Sequence, residues 1–491
     1  MPLITQKAIA FAGKTAMIDP NGEYTYQQMI DASSLWAHRF LHGQSDLHGA
    51  RIAFMVNPGF DYVAVQWGIW KAGGVAVPLC VTYPLASLAY VLEDTAAEQV
   101  VIDTVFESIL LDYISEKGLK SHLLSKPSTP LIASLPEVSS ERPALILYTS
   151  GTTSLPKGVV STHANIDFQM ESLIQAWEWN EGDRTICILP LHHIHGIINV
   201  VGCSLSVGGI CEFLPKFSEK AVFDRLLSGE LTVFMAVPTI YFKLIAYWDS
   251  FSEDQKQLLF QKLNAFRLMV SGSAALPVSV MEKWHVISGH WLLERYGMTE
   301  IGMAISNPFH EERKPGHVGI PLPGVQVRLM GDEEEIKEEL VPGEIQIKGP
   351  NVFQCYWNKA KATEETFTED GWFKTGDVAH LDQGYYKILG RSSVDIIKSG
   401  GYKLSALEIE EVIRQHPEVA DCGVIGLADE EWGEIVAVVL VLKSEIEVKT
   451  LNAWIRERLP GYKVPRKYLI KEELPRNAMG KVTKNDLKAM F

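Results

Sequence analysis

The sequence predicts an α/β protein: a large N-terminal domain of parallel, helix-covered sheets with a small β subdomain, followed by a small α+β C-terminal domain. Three observations predict it. Helical and strand-like segments alternate through the first ~390 residues, and the strands are short apolar runs of the kind buried on both faces. From about residue 318 the pattern changes to period-two alternation. A glycine-rich polar run at 390–401 then marks a second change of composition. The expected boundaries are 1–391 for the large domain, with the β subdomain at about 318–390, and 392–491 for the C-terminal domain.

The elements follow in order. Residues 61–72 read as a buried helix and 74–79 as a buried strand. Residues 85–97 are again helical and 98–103 form the next strand, so the β/α unit repeats. It recurs at 185–189 (strand), 220–229 (helix), 233–237 (strand) and 266–270 (strand). Residues 325–329 and 343–348 alternate apolar and polar side chains between turn-rich segments, as antiparallel strands do. In the last part, 405–416 reads as a helix and 419–425 and 435–442 as strands. No repeat at solenoid periods and no low-complexity tract interrupts the chain.

Composition narrows the function. A 47% hydrophobic, 21% charged chain of 491 residues is an ordinary globular protein long enough for two or more domains. Its formal net charge of −15 argues against nucleic-acid binding, so any anionic ligand must meet local positive charge. The six cysteines form no CxxC pair and sit among apolar residues, which reads as buried thiols in a reducing compartment. No apolar run approaches the ~20 residues of a membrane helix, and the N-terminus lacks a leader pattern; a cytoplasmic protein without integral membrane association is expected.

The most informative stretch is Tyr148-Thr149-Ser150-Gly151-Thr152-Thr153-Ser154-Leu155-Pro156-Lys157-Gly158. Glycine lets backbone N–H groups approach an anion, the hydroxyls donate further hydrogen bonds, and the lysine adds a mobile positive charge. That is the chemistry of holding a polyphosphate. It is not a Walker A loop: Pro156 stands where the second glycine belongs, and Gly158 follows the lysine where Ser or Thr should. A different ATP-using fold is required.

Further polar or glycine-rich stretches stand out from apolar surroundings. Leu189-Pro190-Leu191-His192-His193-Ile194-His195-Gly196 carries three histidines, whose spacing without a carboxylate or cysteine companion fits a pocket wall better than a metal site. Ser271-Gly272-Ser273-Ala274 follows a strand and leads into a helix, where anions bind. Arg295-Tyr296-Gly297-Met298-Thr299-Glu300 offers an aromatic face, a hydroxyl and a carboxylate. Thr375-Gly376-Asp377 puts an acid at a strand end, and 391–401 and Asn477-Ala478-Met479-Gly480-Lys481 complete the set. Trp177 and Trp179 read as core residues.

In this order the motifs resemble the adenylate-forming acyl-CoA ligase superfamily, over essentially the whole chain. Residues 294–300 with 304–308, 399–410 and 474–481 look most like malonyl-CoA synthetases. The resemblance implies ATP, Mg²⁺ and coenzyme A as ligands, a small carboxylic acid as substrate, and a mobile C-terminal domain. It implies that Thr149, Ser150, Gly151, Thr152, Thr153 and Lys157 cradle the β- and γ-phosphates. Ser271, Gly272, Ser273, Ala274 and Gly297 would complete the nucleotide site. Thr299 would contact the α-phosphate, Glu300 would hold Mg²⁺, Tyr296 would stack on adenine, Asp377 would accept from both ribose hydroxyls, and Arg391 would face the ribose or phosphate. Lys481 would stabilise the charge that builds between the carboxylate and the α-phosphate. Ser399, Gly400, Gly401, Tyr402 and Lys403 would serve the second half-reaction, with a hinge within 391–395.

Two departures stand beside the resemblance. Ser154 replaces the usual glycine, at a cost if that position needs φ > 0, and the 391–401 segment is slightly longer than in many relatives. For malonate, the second carboxylate needs a buried partner. Arg267 and Arg313 are the expected bidentate grips, with His195 adding a hydrogen bond, although Glu311 and Glu312 make Arg313 equally suited to a surface ion pair. A medium- or long-chain fatty acid or methylmalonate is the alternative substrate. An apolar tunnel without arginine would mark the fatty-acid case. A peptide-synthetase adenylation domain, a silent acyl-adenylate-binding scaffold and a luciferase-like adenylating oxidase are the other classes. Lack of a carrier motif disfavours the first, and the joint presence of Glu300, Asp377, Arg391 and Lys481 disfavours the second.

Overall fold

The computed structural model describes residues 3–124, 134–149, 155–214, 216–400, 402–477 and 481–491. Two large sheets form the bulk of the molecule. One runs, in spatial order, Ile320–Pro321, Gly302–Ser306, Leu293–Met298, Leu268–Ser271, Val233–Ala236, Arg184–Cys187, Ile210–Phe213, Thr15–Asp19 and Gly22–Thr25. Its central neighbours pair in parallel, and antiparallel strands close both edges. The other runs Cys355–Tyr356, Lys157–Thr162, Pro143–Thr149, Val75–Pro78, Arg51–Met55, Gln99–Ile102 and Lys120–Leu123. It too is parallel except at one side. The expected parallel sheets are therefore mixed at their margins, because short hairpins need no crossover helix and cap an open edge.

The helices fit between and around these sheets. Tyr26–Leu41 and Phe60–Lys71 meet at Gly68, where an added Cβ would lie 2.5 Å from the Cβ of Trp36. Trp36, Trp67 and Trp70 are all nearly fully buried there. Trp177 and Trp179 are core residues, as expected. All six cysteines are free, five buried and Cys355 half-buried. Among the described residues no helix is long and apolar enough to cross a membrane.

A third, wholly antiparallel sheet holds Gln326–Met330, Glu335–Ile336, Gly343–Lys348, Phe373–Asp382 and Tyr385–Arg391. The next strand, Ile396–Ser399, already belongs to the last sheet, with Tyr402–Ser405, Gly433–Leu442, Val419–Asp429 and Lys467–Ile470. The helices Ala406–Arg414 and Val448–Arg456 bury Ile409, Ile413, Leu451 and Ile455 in that sheet's own core.

Candidate active site

Parallel strands deliver their C-terminal ends to one edge of a sheet, which is where open α/β sheets bind ligands. Leu268–Ser271 ends in the loop that leads to the helix Val278–Ser288. Ser273 adopts φ +71, and its Oγ lies 3.1 Å from Nδ1 of His195 and 3.4 Å from an Nη of Arg295. Gly272 is required by closeness: an added Cβ would sit 2.5 Å from the guanidinium carbon of Arg295. His195 opens a π-helix, His195–Gly202, and is 4% exposed. Burial, reinforced by Arg295, holds its pKa well below the usual imidazole range, so it is a neutral ring. Burial likewise lowers His193 to about 3, with contributions from His192 and Lys481. Among the described residues no group of three or more His, Cys, Asp or Glu side chains suited to a metal ion occurs.

The adjacent strand, Leu293–Met298, carries Arg295 and Tyr296. Tyr296 donates its hydroxyl to Asp377 Oδ2 at 2.7 Å, and Arg391 grips the same carboxylate from Nε at 2.9 Å. Asp377 lies within Phe373–Asp382 rather than at its end; the Thr375 hydroxyl receives its backbone N–H at 3.0 Å and fixes the local turn of the chain. The Arg391 backbone N–H donates to Asp395 Oδ2 at 3.0 Å. Burial opposes the charge on Arg391, but Asp377 outweighs it and raises the guanidinium pKa.

The hairpin Pro143–Thr149/Lys157–Thr162 sets Thr149 directly opposite Lys157. Ser150, Gly151, Thr152, Thr153 and Ser154 lie outside the described residues, as do Gly401 and residues 478–480. Lys157 stands over the ring of Tyr356 at 4.8 Å, and Tyr356 donates its hydroxyl to Glu300 Oε1 at 2.8 Å. Glu300 Oε2 is buried with no partner, and burial raises the carboxyl pKa. An orphaned carboxylate oxygen near Lys157 fits Mg²⁺, which takes one or two carboxylates plus phosphate oxygens. Thr299 and Ala274 are half-buried beside these groups in sequence, and Gly297 backs onto the Gly302 carbonyl, 2.1 Å from an added Cβ.

Lys481 reaches this cluster from the C-terminal region. It is exposed overall, yet protein around its ammonium lowers its pKa, with Arg391 and Arg295 acting in the same direction and Asp377 and Asp395 against it. The structure thus gathers Lys481, Arg391, Asp377, Tyr296, Arg295 and His195. It does not gather the second-half-reaction set. Ser399 is buried, Gly400 abuts Trp432, Tyr402 stacks on Tyr462 at 4.7 Å, and Lys403 pairs with Asp332 at 4.0 Å.

Arg267 and Arg313 are a correction. Arg267 donates to both oxygens of Asp183, at 2.6 and 2.5 Å, and to the Trp177 carbonyl at 2.7 Å. Arg313 donates to the carbonyls of Trp291 and Phe309 at 2.7 and 3.1 Å. Arg267 precedes Leu268–Ser271, and Arg313 follows Gly302–Ser306, whose antiparallel pairing brings it beside Trp291 at the start of Leu293–Met298; the cluster around Arg295 lies towards the other end of these strands, and a four-residue strand alone spans about 13 Å. Arg267 thus spends Nε, Nη1 and Nη2 on protein acceptors, and Arg313 both of its Nη groups, which sets both guanidinium groups apart from the cluster around His195.

The cation that sequence reasoning passed over is Arg295. It is 3% exposed, its Nε has no partner, and no carboxylate among the described residues pairs with it. Burial lowers its pKa to about 9, with Glu294 opposing. The signal was present: a charged side chain inside an apolar strand, immediately before the Tyr296-Gly297 of a site motif. Glu294, its neighbour, was also missed; its Oε1 accepts from Leu276 N at 3.1 Å, and burial raises it to about 8.

Comparison with known proteins agrees with this geometry. Residues 4–357 match the model of the AMP-binding enzyme family, and 408–481 that of the AMP-binding enzyme C-terminal domain. The chain is 42% identical to the mouse protein named malonate–CoA ligase ACSF3, mitochondrial, over 98% of this chain and 89% of the relative. It is 41% identical to malonate–CoA ligase of Arabidopsis thaliana, over 91% and 79%. ATP-bound MatB from Rhodopseudomonas palustris superposes with a TM-score of 0.91 at 31% identity, covering 100% of this chain and 98% of that one. A malonyl-CoA ligase ternary product complex with methylmalonyl-CoA and AMP gives 0.69 at 33% identity, covering 95% and 97%.

Proposed function

The chain belongs to the AMP-binding enzyme family, and from that premise we propose that it is an ATP-dependent ligase joining malonate to coenzyme A. One carboxylate oxygen attacks the α-phosphorus of ATP, the bond to pyrophosphate breaks, and malonyl-AMP forms. The CoA sulfur then attacks the acyl carbonyl, AMP leaves, and the thiol proton is released to solvent. The observation that carries malonate is Arg295. A buried guanidinium without a counter-ion is costly unless the substrate brings one. A dicarboxylate does so: one end reacts near Lys481 while the other fills the fork of Arg295, with neutral His195 and the Ser273 hydroxyl beside it.

The remaining roles rest on the same placement. Lys157 and the hairpin from Thr149 hold the β- and γ-phosphates, and Thr299 the α-phosphate. Asp377 turns its remaining lone pairs to the ribose and Tyr296 its ring to adenine. Glu300 would hold Mg²⁺, which screens phosphoryl charge when bound. Ser399, Gly400, Tyr402 and Lys403 serve the thioester step after the C-terminal region, taken as 392–491, turns about the 391–395 segment. The relation of the two TM-scores, at similar identity, supports an arrangement like the ATP-bound one. Free buried thiols suit a reducing compartment; we assign the cytoplasm, and fractionation against the mitochondrial matrix, where the mouse relative is named, tests it.

The test is AMP and pyrophosphate release with Mg-ATP and CoA across malonate, methylmalonate, succinate, acetate, octanoate and palmitate. Malonate is expected to lead. A lead by octanoate or palmitate would discard the dicarboxylate reading and leave a fatty acyl-CoA ligase.

A further inference from the structure

One short piece of chain touches both of the groups assigned above to metal and phosphate. The strand Cys355–Tyr356 pairs antiparallel with Lys157–Thr162, Tyr356 opposite Val159. Side chains alternate across a strand, so Cys355 and Trp357 pack with one core cluster while Tyr356 turns to the other. Lys157, two residues before Val159, shares the face of Tyr356, and its ammonium stands 4.8 Å from the ring centroid. Phe353 packs against the same ring, with 4.8 Å between centroids. The Tyr356 hydroxyl donates to Glu300 Oε1 at 2.8 Å, and both residues are buried. Glu300 Oε2 is left without a partner.

Backbone bonds join the same elements. The N–H of Phe353 donates to the Glu300 carbonyl at 2.7 Å, and Asn351 Nδ2 donates to that of Ile301 at 2.6 Å. On the other side, the N–H groups of Gln354 and Trp357 donate to the carbonyls of Val160 and Gly158 at 2.9 and 2.7 Å. The piece from Asn351 to Trp357 therefore ties the loop of Glu300 to the hairpin of Lys157, and Tyr356 adds a side-chain link between them.

We propose that Tyr356 is a positioning residue for the metal–nucleotide complex: its hydroxyl occupies Glu300 Oε1, so that Oε2 is the oxygen offered to Mg²⁺, and its ring sets Lys157 beside that carboxylate. A carboxylate free to rotate would present either oxygen, whereas octahedral coordination of Mg²⁺ tolerates little misalignment. A partner that orients a metal-binding side chain is worth about ten- to a hundredfold in metal affinity. The inference rests on the roles of Glu300 and Lys157 proposed above.

The experiment measures binding of α,β-methylene-ATP by calorimetry, with Mg²⁺ and with EDTA, for the wild type, Tyr356→Phe, Tyr356→Leu and Glu300→Gln. Tyr356→Phe keeps the ring beside Lys157 and removes only the hydroxyl. It is expected to weaken binding about tenfold with Mg²⁺, to leave binding with EDTA unchanged, and to raise the Mg²⁺ concentration that half-saturates ATP–pyrophosphate exchange. Tyr356→Leu also releases Lys157 and should weaken binding in both media; a Leu variant that matches the Phe variant in both would strike the lysine half of the proposal. Equal weakening of Tyr356→Phe with Mg²⁺ and with EDTA, or no weakening at all, overturns the role of the hydroxyl, and Glu300 keeps its own role if Glu300→Gln loses the gain from Mg²⁺. If the wild type gains nothing from Mg²⁺, or Glu300→Gln retains the whole gain, the metal role of Glu300 fails and the positioning role falls with it.

Discussion

Arg267 and Arg295 sit at opposite ends of neighbouring parallel strands, and they differ in what their guanidinium groups touch. Arg267 has two carboxylate oxygens and a carbonyl; Arg295 has one long contact to a serine hydroxyl and an orphaned Nε. A satisfied fork is a structural member, because its donors are used up. An unsatisfied one in the interior still has donors to offer a ligand, which is the role proposed above for Arg295. The number of donors still free, rather than the presence of an arginine, separates the two ends.

The largest expected effect lies at the free end of the comparison. Lys481→Ala should reduce adenylate formation by about a thousandfold, as loss of a placed transition-state charge does, while thioester formation from supplied acyl-AMP is retained. Equal loss in the two half-reactions would remove Lys481 from the first step. Arg295→Ala should lower kcat/KM for malonate by about a hundredfold or more, the scale of losing a charged hydrogen-bonded partner, and affect acetate far less. If both acids suffer alike, Arg295 is a structural member after all. Arg267→Ala should do the reverse. It leaves the Asp183 carboxylate buried and unpaired, at a cost of about 3–5 kcal/mol, so the melting temperature falls while the ratio of malonate to acetate activity holds.

A smaller effect tests the neighbour of Arg295. The folded pKa of Glu294, raised to about 8, lies above its ordinary value of 4.5. The folded protein therefore binds more protons than the unfolded chain between these values, and stability falls as pH rises through that window. Glu294→Gln should flatten the decline of melting temperature between pH 5 and 8, measured as the difference from wild type; an unchanged slope would show that the carboxyl is not protonated in the fold. The smallest effect belongs to Lys403→Ala, which breaks an exposed pair with Asp332 and should change stability by less than about 1 kcal/mol.

Much of the fold was legible because strands buried on both faces are written as apolar runs: Val75–Pro78, Gln99–Ile102 and Val233–Ala236 fall within one or two residues of their expected bounds. The edge strands were not, because an edge such as Cys355–Tyr356 is two residues long and has no period to detect. At the site, motifs pointed to Lys157, Glu300, Tyr296, Asp377, Arg391 and Lys481, all of which the fold draws into adjoining contacts. Arg267 and Arg313 were expected as the carboxylate grips because sequence shows that a cation is present and not which of its donors the fold already occupies. Arg267 precedes its strand and Arg295 lies inside one, and only the pairing of Arg267 with Asp183 shows that the first is already satisfied.

The π-helix that begins at His195 holds one more residue per turn than an α-helix would. Removing any one residue between Ile197 and Val201 would let the segment relax to ordinary α geometry, with a narrower turn and a changed angle between its two ends. The 3.1 Å contact of His195 with Ser273 at one end and the packing of Gly202 on Met170 at the other could then not both keep their present geometry. In a gene alignment such a protein would look like a harmless single-codon gap in an apolar helix, yet the gap would fall on the segment that sets the angle of His195.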